Sequence, residues 1–299
     1  MKVLLVDVDS TRFPNLALMK CSGHHKRLGN SVFFRSPCNP DEVYISCVFS
    51  KNAHIARGIA TMFPQAQVHL GGAGVNDEFL PSEIEHTMPD YSLYGINYSI
   101  GYLTRGCIRN CPWCIVPKIE GRFREHADLD EFLDPRHRKV VIVDNNILAS
   151  NRISEILTEL GLRKLSVCFT QGLDIRLFTP EIASLLSRVR GRTRSWKTPA
   201  FYFSWDNPDD ESEVVEGIKL IKNAGIRRKL IFYVLVGFNT PWEDDWHRVD
   251  TLIKLGCNPF VMRYNHRTDD ERLNKLAKWT IGMYYQFIPF DKFDMKLAH

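Results

Sequence analysis

No stretch of this 299-residue chain approaches the roughly 20 consecutive apolar residues that a membrane-spanning helix needs. Nor is one charge in excess: 39 Lys and Arg stand against 35 Asp and Glu, a net +4, too little by itself to point to a nucleic acid or a membrane surface. The first residues, MKVLLVDVDS, lack an unbroken apolar run because Asp7 and Asp9 interrupt it. They also lack a small-residue cleavage site, so they do not read as a signal peptide. Repeats and low-complexity segments are missing as well. The expected location is therefore the cytoplasm, where cysteines bind metal or stay free more often than they pair.

What is present is an ordinary globular composition, 44% hydrophobic and 25% charged, in a chain long enough for two units. Residues 1–75 alternate short apolar runs (KVLLVDV, SVFF, EVYISC, QVHLGG) with helix-like stretches at 15–29 and 53–63. This is the rhythm of a small parallel α/β layer. Residues 76–95, with two prolines and no clear period, read as a linker. A longer β/α series follows over 96–269, with strands within 96–106, 139–146, 165–172, 201–207, 230–239 and 259–265. Helices are expected at 152–161, 180–190, 211–224 and 242–255, and residues 270–299 form a helical C-terminal extension.

Six β/α units fit a partial or full parallel (β/α)6 barrel better than a doubly wound sheet. Each strand ends in polar residues: Asp144, Asn145 and Asn146; Gln171; Asp206 and Asn207; Asn239; Asn265. Barrel enzymes build their sites at the C-terminal ends of strands. Helix caps and turns also use Asn and Asp, so any single one of these carries little weight.

Of eight cysteines only three are clustered, Cys107, Cys111 and Cys114, in GYLTRGCIRNCPWCIVPKIEG. Thiolates are soft ligands that suit zinc and iron–sulfur centres. A cubane cluster takes four protein ligands when closed, so three on one loop leave one iron free to bind something else. A structural zinc site completed by His86 or His126, a plain electron-transfer cluster and a non-enzymatic metal-binding module are the competing readings. A disulfide fails on the odd count and the compartment.

The C-x3-C-x2-C spacing just after the first strand of a β/α barrel, with Trp113 before the last cysteine, closely resembles the radical S-adenosylmethionine superfamily. The resemblance covers residues 96–267. It implies a [4Fe-4S] cluster on Cys107, Cys111 and Cys114 whose open iron binds S-adenosylmethionine. It also implies reductive cleavage of that cofactor to a 5′-deoxyadenosyl radical, and a reducing partner such as flavodoxin or ferredoxin. Carried over residue by residue, it places Asp144 and Asn145 toward the methionyl amine, and Gln171, Asp174 and Arg176 after the third strand, with Arg176 paired to the methionyl carboxylate. Ser204 falls at a ribose position, and Leu235 and Gly237 in an adenine-side strand motif whose first glycine is replaced by Tyr233. The substrate is not implied.

The N-terminal layer resembles the cobalamin-binding domain of one subgroup, on LGGAG after its last strand. The Asp-x-His-x-x-Gly cobalt-ligand motif is missing, so a degenerate domain and a cobalamin-dependent methyltransferase both stay open. Methylthiotransferase-like RNA modifiers share the TRGC loop and carry three further N-terminal cysteines. Here Cys21 falls in a helix pattern and Cys47 in a strand pattern, and with Cys38 they read as free thiols. The basic runs at 136–139, 162–164, 188–197 and 227–229 each precede a strand and read as a solvated rim away from the cysteine loop, a nucleic-acid contact being the alternative.

Overall fold

The computed structural model describes residues 1–11, 13–34, 39–76, 78–266 and 269–296. Cys38 and Arg12 therefore lie outside the described residues. The chain divides into two units, Met1–Leu103 with 118–121 and 126–140, and Thr104–Pro117 with 122–125 and the residues from Val141 onward.

The first unit contains β1 (Lys2–Asp7), α1 (Leu16–Arg27), β2 (Ser31–Phe34), β3 (Glu42–Ser46), α2 (Ala53–Ala60) and β4 (Gln67–Gly71). The strands pair in parallel in the order β2-β1-β3-β4. Alternation along β1 and β3 sends successive side chains to opposite faces. Val3, Leu5 and Tyr44 pack with Leu18 and Cys21 of α1, while Leu4, Val43 and Ile45 pack with Ala56 of α2 and with Cys47. Asn15 caps α1 by accepting the Leu18 amide.

The segment 76–95 is not a linker. It forms the short helix α3 (Ser82–Glu85), puts Ile84 into the core beside Val3 and Leu5, and pairs Glu85 with Lys20 at 2.9 Å. Asp90 accepts from Ser22 Oγ at 2.6 Å and from Lys26 Nζ at 2.7 Å. The prolines break any period, but Leu80, Ile84 and Leu93 still reach an apolar face. The unit continues through β5 (Ser99–Gly101).

The glycines of LGGAG serve close chain approach: a Cβ on Gly72 would stand 2.4 Å from the Cys47 carbonyl oxygen. At the same strand ends Asp7 accepts from Tyr94 Oη at 2.7 Å, and Asp9 accepts from Asn52 Nδ2 at 2.8 Å.

The series then runs β6 (Thr104–Arg105), α4 (Val116–Ile119), β7 (Arg124–Glu125), β8 (Lys139–Ile142), α5 (Ile153–Leu162), β9 (Ser166–Phe169), α6 (Pro180–Arg188) and β10 (Arg190–Gly191). After these come β11 (Ala200–Ser204), α7 (Glu211–Asn223), β12 (Lys229–Val236), α8 (Trp242–Lys254), β13 (Asn258–Arg263) and α9 (Glu271–Ile281). β9 lies between β8 and β10, and β11, β12 and β13 form a parallel sheet. A parallel bridge between Leu173 and Phe203 joins the two sets, with the Leu173 amide donating to Tyr202 O at 2.7 Å. The second unit is thus α/β with the strand succession of a partial barrel. β10 was not legible, because Arg190 and Gly191 offer no apolar run.

On β12, Leu230, Phe232, Val234 and Val236 are buried while Ile231, Tyr233 and Leu235 are half-buried. Phe203 stacks on Phe232 on the buried side; Tyr202 stacks on Tyr233 on the other. The half-buried face therefore carries Ser204 and Leu235 together.

Arg248 of α8 is 0% exposed and ties this sheet's end together. Its guanidinium donates to the carbonyls of Trp205, Asp206 and Leu235 at 2.9, 3.1 and 3.0 Å, and to the Asp245 carboxylate. Asp245 in turn accepts from Gly237 N at 2.9 Å and Thr240 Oγ1 at 2.7 Å. Breaking a buried pair by removing one partner strands the other charge. Arg248→Met is expected to cost about 3–5 kcal/mol in chemical denaturation, and the double variant Arg248→Met, Asp245→Asn less than the single one. Equal stability of single variant and parent would refute this role.

Candidate metal and cofactor site

Asp144, at the end of β8, accepts from the Thr104 amide at 2.5 Å and from Thr104 Oγ1 at 2.6 Å. Its buried carboxylate thereby fixes β6 immediately before the cysteine loop. β6 pairs antiparallel with β7, and a bridge between Cys107 and Arg122 continues this ribbon. Gly106 turns the chain at φ +72°, a conformation that favours glycine. The Cys114 amide donates to Cys111 O at 3.0 Å, a tight turn that brings the last two thiols close.

Burial pushes the Cys111 thiol up to about 11; Arg176 opposes this, while Cys114, Cys107 and Asp206 add to it. Cys114 is raised as well, first by burial and then by Cys107 and Asp206, against a hydrogen bond from the Val116 backbone. The three sulfurs and Asp206 thus share one small region. Among the described residues, no group of three or more His, Cys, Asp or Glu side chains stands at metal-coordination spacing. The donor set itself is soft, lies on one loop and loses protons to a bound metal, which offsets the raised thiol values.

Beside it are buried polar atoms without a partner. Asn146 is 2% exposed, and its Nδ2 donates to Cys107 Sγ at 3.6 Å and to Asp174 Oδ2 at 3.1 Å, while its Oδ1 accepts nothing. Asn145 Nδ2 is likewise buried and unpartnered. Orphaned amide groups next to three thiols fit a metal centre with a polar ligand beside it.

The remaining expected residues fall as follows. Arg176 binds the Asp174 carboxylate through Nε at 2.7 Å and Asp210 through a terminal nitrogen at 2.6 Å, so both its edges already meet carboxylates. Asp174 also accepts from Arg109 Nε at 3.0 Å. Burial alone would raise the Asp174 carboxyl, but Arg176 and Arg109 hold it below the usual range. Gln171 is exposed on the turn after β9. Ser204 ends β11 on the half-buried face. Leu235 donates its amide to Asp206 Oδ1 at 2.8 Å. Gly237 stands at φ +76°, and a Cβ there would meet Leu273 at 2.7 Å. Trp113 packs edge-on against Phe238 at 5.6 Å between centroids, and Phe238 against Tyr264 at 4.6 Å. The cysteine loop is thereby seated on the residues after β12 and β13.

Sequence reasoning named Asn146 in the polar run that ends β8 but gave a cofactor role only to Asp144 and Asn145. Arg109, Asp210 and Arg248 carried no signal of their own. The two histidines weighed as zinc ligands are engaged by carboxylates, His86 with Glu131 at 2.7 Å and His126 with Glu85 at 3.1 Å.

No family model matches the chain. A curated relative, the tRNA-2-methylthio-N(6)-dimethylallyladenosine synthase of Aquifex aeolicus (strain VF5), is 26% identical over 217 residues, 64% of this chain and 48% of its own length. The resemblance rests on this match together with the cysteine spacing and its place after the first strand of the series. The chain is similar to enzymes of the radical S-adenosylmethionine superfamily. It spans about half the length of the curated relative it matches. A solved structure, Streptococcus suis SuiB bound to S-adenosylmethionine, aligns with a TM-score of 0.42 at 13% identity over 63% of this chain and 45% of that one. Among the described residues no helix is long and apolar enough to cross a membrane.

A radical S-adenosylmethionine chain with this loop is expected to take up about four irons per chain on anaerobic reconstitution, the content of one cubane. Replacing Cys107, Cys111 and Cys114 by alanine together is expected to abolish uptake. One zinc per chain with no iron would refute the cubane.

Proposed function

We propose that this protein is a radical S-adenosylmethionine enzyme that modifies an as yet unassigned substrate. The observation that carries the reading is the loop of three mutually interacting thiols with Asn146, whose Nδ2 meets Cys107 Sγ and whose Oδ1 has no partner. When bound on Cys107, Cys111 and Cys114, a [4Fe-4S] cluster supplies the electron that splits S-adenosylmethionine to methionine and a 5′-deoxyadenosyl radical.

The chain's own residues bind and orient. Asp144 holds the loop's entry strand through Thr104, and so acts on the thiols through the backbone. Asn145 and Asn146 offer amide groups at the methionyl end. Asp206 is held by the Leu235 amide, and burial pushes its carboxyl above the usual range. Ser204 and Leu235, on one half-buried face, serve the nucleoside side, and Tyr202 and Tyr233 wall off water there. The electron comes from a one-electron donor such as a flavodoxin or ferredoxin.

The name of the Aquifex relative makes methylthio transfer to tRNA the second reading. Cys21 and Cys47 speak against a second cluster in the first unit. They are buried in separate core clusters on opposite faces of one sheet, where side chains cannot converge on a single ion. Nothing in the sheet requires cobalamin, and the methyltransferase reading rests on LGGAG alone.

Reduced, reconstituted protein given S-adenosylmethionine is expected to form 5′-deoxyadenosine slowly without substrate, measured by liquid chromatography. Absence of that product at full iron content would leave a metal-binding module.

Arg190 pairs in register with Ser166, the first residue of β9, at the strand end opposite Gln171. Neutralising Arg190, Arg192 and Arg194 together is therefore expected to leave 5′-deoxyadenosine formation and substrate turnover nearly intact, whereas changes at Arg176 or Arg263 impair them. Loss of turnover together with a flattened salt dependence of nucleic-acid binding would instead mark the substrate as a polyanion.

A further inference from the structure

We infer that Asn146 is a positioning residue that sets the reduction potential of the cluster through its amide N–H on Cys107 Sγ; this rests on the proposed [4Fe-4S] reading. Two donors meet that sulfur, the Arg109 amide at 3.3 Å and Asn146 Nδ2 at 3.6 Å. The first is backbone and survives any side-chain change; the second is removable.

The orientation of the Asn146 amide is set from behind. Its Nδ2 lies between two acceptors, the Cys107 sulfur and Asp174 Oδ2 at 3.1 Å. A flipped amide would set its oxygen against a carboxylate, so the donor must face this way. Asp174 is in turn held by Arg109 Nε at 3.0 Å and by Arg176 Nε at 2.7 Å. A side chain that is 2% exposed and held in this manner keeps its donor aimed without further ordering.

A cysteinate ligand carries negative charge, and reduction adds one electron to the cluster. A donor on the sulfur offsets charge in both states, and more in the reduced one, so it raises the potential. Only the difference between the two states moves the potential; a tenfold difference corresponds, for one electron, to about 59 mV.

The test is a potentiometric titration of the anaerobically reconstituted full chain, followed by the electron paramagnetic resonance of the reduced cluster. Asn146→Leu is expected to bind iron as the parent does and to favour the oxidised cluster about tenfold more. Asn146→Ala, which lacks the amide and adds no bulk, is expected to shift the same way and covers the case in which the leucine variant fails to fold. Asn146→Gln, which keeps an amide, is expected to recover part of the shift. A potential within about twofold of the parent in the leucine variant, or a raised potential in the alanine variant, at full iron content, would overturn the inference. A parent chain that takes up no iron would instead overturn the cluster reading beneath it.

Discussion

The buried guanidinium of Arg248 is the constraint on which the second unit's working end depends. A charge removed from water is tolerated when its donors are largely met, and in Arg248 the terminal nitrogens are met while Nε is not. Arg248 meets three carbonyls on the residues that end β11 and β12 and one carboxylate on its own helix. Strand ends are otherwise where parallel sheets fray, because their carbonyls have no further partner. Here one side chain supplies donors to two of them, and the same geometry keeps Asp206 and Gly237 in place. The surface on which Ser204, Leu235 and the cysteine loop's aromatic seat depend is therefore held by charge as well as by apolar packing.

A second layer of fixed charge sits around Asp174. It gathers Arg109 from the cysteine loop, Arg176 from the turn after β9 and Asn146 from the end of β8. Three segments distant in sequence meet on one carboxylate. The arrangement explains why Arg176, read from sequence as a partner for a cofactor carboxylate, is engaged by Asp174 and Asp210 in the protein itself.

Much of the fold was legible because the helices of the second unit carry clean amphipathic periods and the strands are apolar runs between them. The expected helices at 180–190 and 211–224 correspond to Pro180–Arg188 and Glu211–Asn223, the first marked by Thr179 as cap and Pro180 at its start. The cysteine trio stood out in the sequence by its spacing alone. What could not be read are contacts that depend on distant pairing: Asn146 on Cys107, Arg248 on three strand-end carbonyls, and Ile84 in the core of the first unit. Residues 76–95 misled because two prolines erase a period without preventing burial. Tyr91 is buried there with no helical pattern to announce it.

The short ribbon of β6 and β7, extended by the bridge from Cys107 to Arg122, bears on how the loop acquires metal. Joining the two ends of a flexible segment costs entropy that grows with its length. In this chain the ends are joined by the fold, and Asp144 secures the entering strand from the side. The loss is incurred when the polypeptide folds, so a metal taken up there would have only the few torsions around the three thiols left to order. Affinity for the metal is thus built partly into residues that never touch it.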